Sequence, residues 1–306
     1  MVATVRVRPS QGSDLAKGPT SLVVVVGPTA SGKSALAMQF AQRFNGEIIA
    51  ADSRTIYRGM DIGTAKPAAA EQKQIRHHLL DVVDPDQPFS AADFQEQANQ
   101  AIANIQARGK LPIMVGGTGL YVDSVIYNYS FKSGRAAQPN PALVALSLAE
   151  LQARAEDLGI SLNHSDWHNP RRLIRAIEAN GQPPTKQELR PNTLILGMSI
   201  DMVELEARIA TRVNQMVEHG LLNEVEALLK RYQPDSEAMT GIGYRSFAAV
   251  AAGQMTVEQA IDDTVKDTKR YAKRQMTWFK RNSDIRWAHN QTEAEVQVSE
   301  FLAQAV

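Results

Sequence analysis

Leu22-Val23-Val24-Val25-Val26, followed at once by Gly27-Pro28-Thr29-Ala30-Ser31-Gly32-Lys33-Ser34, decides the fold. Five apolar, mostly β-branched residues without alternation read as a strand buried on both faces of a parallel sheet. The next eight residues fit G-x-x-x-x-G-K-[ST], and Lys33 to Phe44 reads as a helix. Strand, glycine-rich turn and helix, in that order, are the context in which this pattern cradles phosphate oxygens. The glycines let backbone N–H groups point inward, and the helix N-terminus adds its dipole. Lys33 supplies a fixed cation, and Ser34 offers a hydroxyl to a magnesium ion.

Working outward, Gly46-Glu47-Ile48-Ile49-Ala50 is a second strand, ending at Ala51-Asp52-Ser53. Ser90-Ala91-Ala92-Asp93 opens a helix with a cap hydroxyl and an acid three residues on, and this helix runs to Arg108. Leu111 to Val115 is a third buried strand, followed by Gly116-Gly117-Thr118-Gly119, and Thr193 to Ser199 is a fourth. Strands alternating with helices predict an α/β fold, a parallel sheet flanked by helices. Between residues 128 and 190, prolines and glycines separate helical stretches at Leu143–Leu158 and Arg171–Ala179, which predicts a small helical insertion. After the N-cap Asp201 the chain reads as almost all helix, over 202–219, 221–232, 243–252 and 256–281. The expected organisation is a flexible extension over 1–20, a catalytic core over 21–127 and 191–306, and the insertion over 128–190.

The 306 residues hold 33 Lys plus Arg and 33 Asp plus Glu, so the molecule as a whole is no basic nucleic-acid sponge. With no cysteine, it has no disulfide scaffold, zinc ribbon, thiol nucleophile or iron–sulfur site. No apolar run approaches the roughly 18 residues of a membrane helix. Residues 1–20 lack the apolar segment and cleavage site of a secretory signal, so a cytoplasmic location is expected. His164 and His168 have a metal-like spacing but no acidic residue in an H-E-x-x-H pattern, and zinc is not expected there.

A phosphate loop does not name a reaction; nucleoside kinases, NTPases and sulfotransferase-like enzymes all use one. The segment Ala51-Asp52-Ser53-Arg54-Thr55-Ile56-Tyr57-Arg58-Gly59-Met60-Asp61-Ile62-Gly63-Thr64-Ala65-Lys66-Pro67 narrows the choice. The carboxyl end of the second strand is expected to open beside the phosphate loop, where Asp52 meets an acceptor facing the phosphates. An N-cap or an outer magnesium ligand is the alternative role for Asp52. Farther on, Lys266, Lys269, Arg270, Lys273, Arg274, Lys280, Arg281 and Arg286 are opposed within their span by Asp267 and Asp284 alone, with Tyr271, Trp278 and Phe279 interleaved. Basic charge binds phosphates and rings stack on unpaired bases, so this is a candidate single-stranded RNA face. The alternative is a solvated amphipathic helix. Arg171-Arg172-Leu173-Ile174-Arg175 is a second basic cluster.

GPTASGKS, DSRTIYRGMDIGTAKP, HHLLDVVDP, FSAADF, VGGTGLY, NPRRLIRAIE, GIGYR and KRQMTWF occur in this order between Leu22 and Trp287. Together they resemble the tRNA dimethylallyltransferases, also called tRNA isopentenyltransferases. The resemblance implies transfer of dimethylallyl from its diphosphate to the exocyclic amine of the adenosine 3′-adjacent to the anticodon, in tRNAs reading codons that begin with U. It implies Asp52, Thr118 and Arg212 as catalytic residues. Gly27, Pro28, Thr29, Ala30, Ser31, Gly32, Lys33 and Ser34 then hold the diphosphate, and Ser34 meets Mg2+. Arg208 lies one turn from Arg212 on the same helix face, and the resemblance favours Arg212. It further implies tRNA contacts from Asp52, Ser53, Arg54 and Thr55, from Arg171, Arg172, Leu173, Ile174 and Arg175, and from Thr240, Gly241, Ile242, Gly243, Tyr244 and Arg245. The last set is Lys273, Arg274, Gln275, Met276, Thr277, Trp278, Phe279 and Lys280. Thr55 departs from the family, where Gln or Leu is commoner. A monomer with no membrane partner is expected. Two rivals are an adenylate prenyltransferase making free cytokinin, which has no use for the insertion or the basic helix, and a P-loop nucleotide kinase, which leaves DIGTAKP unexplained.

Overall fold

The computed structural model describes residues 21–131, 140–182 and 184–304; the extension expected over 1–20 lies outside them. Six strands build one sheet: β1 (Leu22–Val26), β2 (Gly46–Ala51), β3 (His77–His78), β4 (Leu111–Gly116), β5 (Thr193–Met198) and β6 (Ile285–Ala288). Their order is β3-β2-β4-β1-β5-β6 and every pairing is parallel. The helices are α1 (Lys33–Arg43), α2 (Ala69–Gln74), α3 (Ala91–Ala107), α4 (Gly119–Ile126), α5 (Pro141–Val144), α6 (Leu148–Asp157), α7 (His164–Trp167) and α8 (Pro170–Glu178). They continue with α9 (Met202–Glu218), α10 (Leu221–Leu229), α11 (Tyr244–Ala251), α12 (Val257–Phe279) and α13 (Gln291–Gln304).

The unbroken apolar run of β1 follows from its place inside the sheet, between β4 and β5, where both faces are covered. Val23 and Val25 pack with Leu36, Ala37 and Phe40 of α1 and with Val298 of α13; Val24 and Val26 pack on the other face with Phe94 and Ile102 of α3 and Val122 of α4. Each such side chain, fully withdrawn from water, contributes about 1.5–3 kcal/mol. A third apolar cluster joins Ile56, Tyr57 and Met60 to α10 and α11. The segment 141–178 has a cluster of its own, built from Leu143, Leu151, Ala155, Leu173, Ile174 and Ile177.

One expectation needs correction, and two features add to the sequence reading. The stretch 143–158 is two helices, because Ser147 accepts the N–H of Glu150 and Glu150 caps the Ser147 N–H in return, starting α6 afresh. The chain after Asp201 is almost all helix, as expected, but Ile285–Ala288 adds a parallel edge strand to β5, and its four residues are too short to show a period. The second strand does not adjoin the first, since β4 lies between them. Asp52 therefore reaches the phosphate loop across the β4–α4 turn. Because all strands are parallel, the turns after β1, β2 and β4 converge at one edge of the sheet, where open α/β sheets bind ligands.

Candidate active site

In the turn after β1, Ala30 (φ 63°) and Gly32 (φ 86°) are left-handed, a geometry that folds successive N–H groups toward one concavity. Gly32 caps α1 without any side-chain acceptor, so the first-turn N–H groups stay available to an anion. The Lys33 Nζ donates to the Pro28 carbonyl at 3.1 Å, folding its ammonium back over the loop. Ser31 Oγ is buried without a hydrogen-bond partner, an unpaired polar atom that a bound oxyanion would satisfy.

Electrostatics point the same way. Burial, with Arg212 beside it, lowers the Lys33 pKa to about 8 against the opposing pull of Asp52. Burial also lowers that of Arg212, again opposed by Asp52. Two desolvated cations share one carboxylate, an arrangement short of negative charge.

The carboxylate is itself held in place. The Arg54 N–H donates to Asp52 Oδ1 at 2.8 Å, an Asx turn that orients it. The Ser53 N–H donates to Thr118 Oγ1 at 3.0 Å, and the Thr118 N–H to the Ala51 carbonyl at 3.3 Å, so the turns after β2 and β4 are stitched together. Tyr271 of α12 lies within hydrogen-bonding reach of Thr118 and Gln275, its pKa pushed up to about 12 first by burial and next by Asp52. A cleft of about 280 Å³ opens here. Thr29, Asp52, Arg212 and Tyr271 line it, together with the turn Thr240–Tyr244 and an apolar wall of Ile209, Val213 and Met216. Arg208 sits outside this cleft, paired with Glu204 at 2.6 Å, whereas Arg212 faces Asp52 within it.

The loop 61–66 is fixed above all by Glu224, a residue the sequence did not single out. Glu224 of α10 accepts the N–H groups of Asp61, Ile62 and Gly63 at 2.9, 2.8 and 3.1 Å, and the Tyr244 hydroxyl at 2.6 Å. Lys66, only 3% exposed, bonds Asp61, Asp81 and the Tyr57 carbonyl at 2.5, 2.6 and 2.9 Å.

The residues expected to meet RNA divide by exposure. Lys273, Arg274, Thr277, Trp278 and Lys280 are exposed on α12 or at its end, and Met276 is half-buried. Arg274 also lines the cleft, as do Ser53, Arg54 and the turn Thr240, Gly241, Ile242 and Gly243. Trp278 donates its indole N–H to Asp123 at 2.9 Å, and burial raises the Asp123 carboxyl to about 6. By contrast, Thr55, Leu173, Ile174, Tyr244, Gln275 and Phe279 are all buried. Their side chains serve the core or the loops, and Tyr244 also lines the cleft. In the segment 141–178, Arg171 reaches Glu237 at 3.8 Å, Arg172 pairs with Asp166 and Arg175 with Glu178. Arg54 donates to the Glu237 carbonyl at 2.8 Å and Arg245 pairs with Asp267 at 2.8 Å.

No group of three acidic, His or Cys side chains among the described residues is placed to hold a metal ion. Ser34, the residue that would meet a magnesium ion, is exposed at the start of α1. This metal keeps several waters and is commonly bound by substrate phosphates with few protein ligands. No helix among the described residues is long and apolar enough to cross a membrane.

A parallel sheet whose carboxyl edge sets an anion cradle beside a carboxylate, between the turns after β1 and β2, defines a P-loop protein. The IPP transferase family model matches residues 55–282, beginning just after Asp52. A tRNA dimethylallyltransferase of Pelotomaculum thermopropionicum is 41% identical over 288 residues, 87% of this chain and 90% of that protein. One from Roseiflexus sp. is 44% identical over 281 residues, 86% of this chain and 91% of that protein. The crystal structure of the full-length tRNA isopentenylpyrophosphate transferase of Bacillus halodurans matches with a TM-score of 0.72 at 35% identity, over 94% of this chain and 98% of that one. A eukaryotic dimethylallyltransferase captured acting on tRNA matches with a TM-score of 0.75 at 25% identity, over 92% and 77% of the two chains. The chain belongs to the IPP transferase family and is a transferase.

Proposed function

We propose that this chain transfers dimethylallyl from dimethylallyl diphosphate to the exocyclic amine of the adenosine 3′-adjacent to the anticodon, in tRNAs reading codons that begin with U. The observation that carries the reading is the shared cleft of Asp52 and Arg212 beside the phosphate loop, with two cations facing a single carboxylate. Breaking the allylic C–O bond leaves charge on diphosphate, which the loop N–H groups, Lys33 and Arg212 are placed to stabilise. Magnesium at Ser34, when bound, neutralises further diphosphate charge. The adenine amine is a poor nucleophile because its lone pair is delocalised into the ring. As the C–N bond forms, Asp52 takes the amine proton and diphosphate leaves with the C–O electron pair. Thr118, fixed against the Ser53 N–H, orients the departing group, and the apolar wall of Ile209, Val213 and Met216 receives the five-carbon tail.

RNA recognition follows from the exposed cations of α12 and from Arg171, Arg172 and Arg175, with the insertion over 128–190 gripping the anticodon stem-loop. The deciding experiment offers labelled dimethylallyl diphosphate and magnesium with two acceptors, AMP and an adenosine-containing anticodon stem-loop, followed by mass analysis of the nucleosides. Prenyladenosine is expected in the RNA. Efficient prenylation of AMP with none of the RNA would make the chain an adenylate prenyltransferase and overturn the reading.

A further inference from the structure

Gln275 lies among the exposed cations of α12 and yet is 4% exposed. Its carboxamide spans two turns of the sheet edge: Oε1 accepts the Thr29 N–H of the phosphate loop at 2.8 Å, and Nε2 donates to the Gly117 carbonyl of the β4–α4 turn at 2.9 Å. The neighbouring position is shaped for it, because a methyl added to Gly117 would overlap the Gln275 amide nitrogen. Gly117 leads into Thr118, whose Oγ1 accepts the Ser53 N–H beside Asp52. One amide therefore fixes the spacing between the phosphate loop and the turn that carries Thr118 and braces Asp52. One turn earlier on the same face, Tyr271 reaches Thr118 and Gln275. Lys273 and Arg274, between them in sequence, are exposed.

We propose that Gln275 is a positioning residue for the transfer step, holding the phosphate loop and the Thr118 turn in register. Only a neutral group with one donor and one acceptor does both tasks. A carboxylate accepts from Thr29 but cannot donate to Gly117, and an isosteric hydrocarbon does neither. The inference rests on the phosphate loop holding the donor diphosphate, so donor binding to the unsubstituted protein is measured first. Failure there removes the functional reading itself, independently of Gln275.

The test compares Gln275→Leu and Gln275→Glu with the parent protein in steady-state transfer and in binding of a fluorescent anticodon stem-loop. Gln275→Leu is expected to lower kcat at saturating donor and RNA by about 100-fold, the effect of a misplaced reacting pair, with stem-loop affinity within about twofold of the parent. In Gln275→Glu the new carboxyl regains its donor hydrogen when protonated, so kcat is expected to rise as pH falls through its titration, with an acid limb that the parent lacks. If Gln275→Leu fails to fold, as judged by its circular dichroism melt, the pH profile of Gln275→Glu and the kcat of Gly117→Ala, which displaces the amide from the other side, carry the test. Weakened stem-loop binding with parent-like kcat at saturation makes Gln275 an RNA contact and overturns the proposal. So does a Gln275→Glu profile parallel to that of the parent.

Discussion

Tyr244 donates its hydroxyl hydrogen to Glu224 across the loop that Glu224 itself holds, at 2.6 Å, with the ring packed so close to Gly63 that a Cβ there would lie 2.6 Å from it. Burial and then the Glu224 charge raise the Tyr244 pKa. Tyr244→Phe keeps the buried ring and removes one charge-assisted bond, so it should cost about 1.5–3 kcal/mol of stability. A fall in the urea midpoint at unchanged slope checks this.

Asp52→Asn tests catalysis apart from binding. Turnover should fall roughly 100-fold or more with loss of the proton acceptor, while donor affinity changes little, because a carboxylate does not attract diphosphate. A collapse of magnesium and donor binding, with normal turnover at saturation, would identify Asp52 as a metal-shell residue.

Lys33 makes donor binding depend on pH. With its pKa lowered to about 8, the free protein loses this cation as pH rises through that value. A bound diphosphate favours the charged form, so binding above about pH 8 must take up a proton. Affinity should weaken above pH 8 by up to about tenfold per unit. Lys33→Met should bind weakly at every pH, without that limb. Calorimetry in buffers of different ionisation enthalpy detects the proton directly.

Glu47, buried at the start of β2, accepts bonds from His78, Arg108 and Lys110 at 2.7, 2.6 and 3.0 Å. These partners outweigh burial and lower its pKa from 4.5 to about 2. A depressed carboxyl contributes stability that is present above its unfolded pKa and lost as pH falls through the folded one. Glu47→Gln should therefore cost about 1–3 kcal/mol at neutral pH, with the gap closing between pH 4.5 and about 2. Acid unfolding of the two proteins should show the curves converging.

Replacing Lys273 and Lys280 together with Ala should weaken stem-loop binding and flatten the slope of log K against log salt by about 0.7–0.9 per lost phosphate contact. Affinity for dimethylallyl diphosphate should stay the same. Lys269 and Arg270 are poorer choices for such a test, since Glu206 and Asp267 already neutralise them.

The phosphate loop was legible because its chemistry is local: eight consecutive residues between a strand and a helix state both fold and ligand. The cap Ser90 was legible for the same reason, its partner Asp93 being three residues away. Glu224 was not, since its carboxylate serves N–H groups more than 160 residues earlier and nothing in its own helix marks it. Gln275 was read by its neighbours in sequence, all suited to a basic face, and only helical rotation shows that it points the other way. The edge strand β6 was hidden because a four-residue pairing owes its existence to β5, whose open side it occupies.

That edge strand bears on how the protein tolerates loss of chain. The segment 285–304 supplies no residue of the cleft, yet β6 covers the outer hydrogen-bonding edge of β5 and α13 buries Ala294 and Val298 against the sheet. Glu295 of α13 also holds Arg43, at the far end of the helix that the phosphate loop opens. A chain ending after Phe279 would keep every residue assigned to catalysis but present β5 as a bare apolar edge, the template on which strands of other molecules add. Premature stops in this region are therefore expected to yield aggregates, a loss of solubility rather than of chemistry.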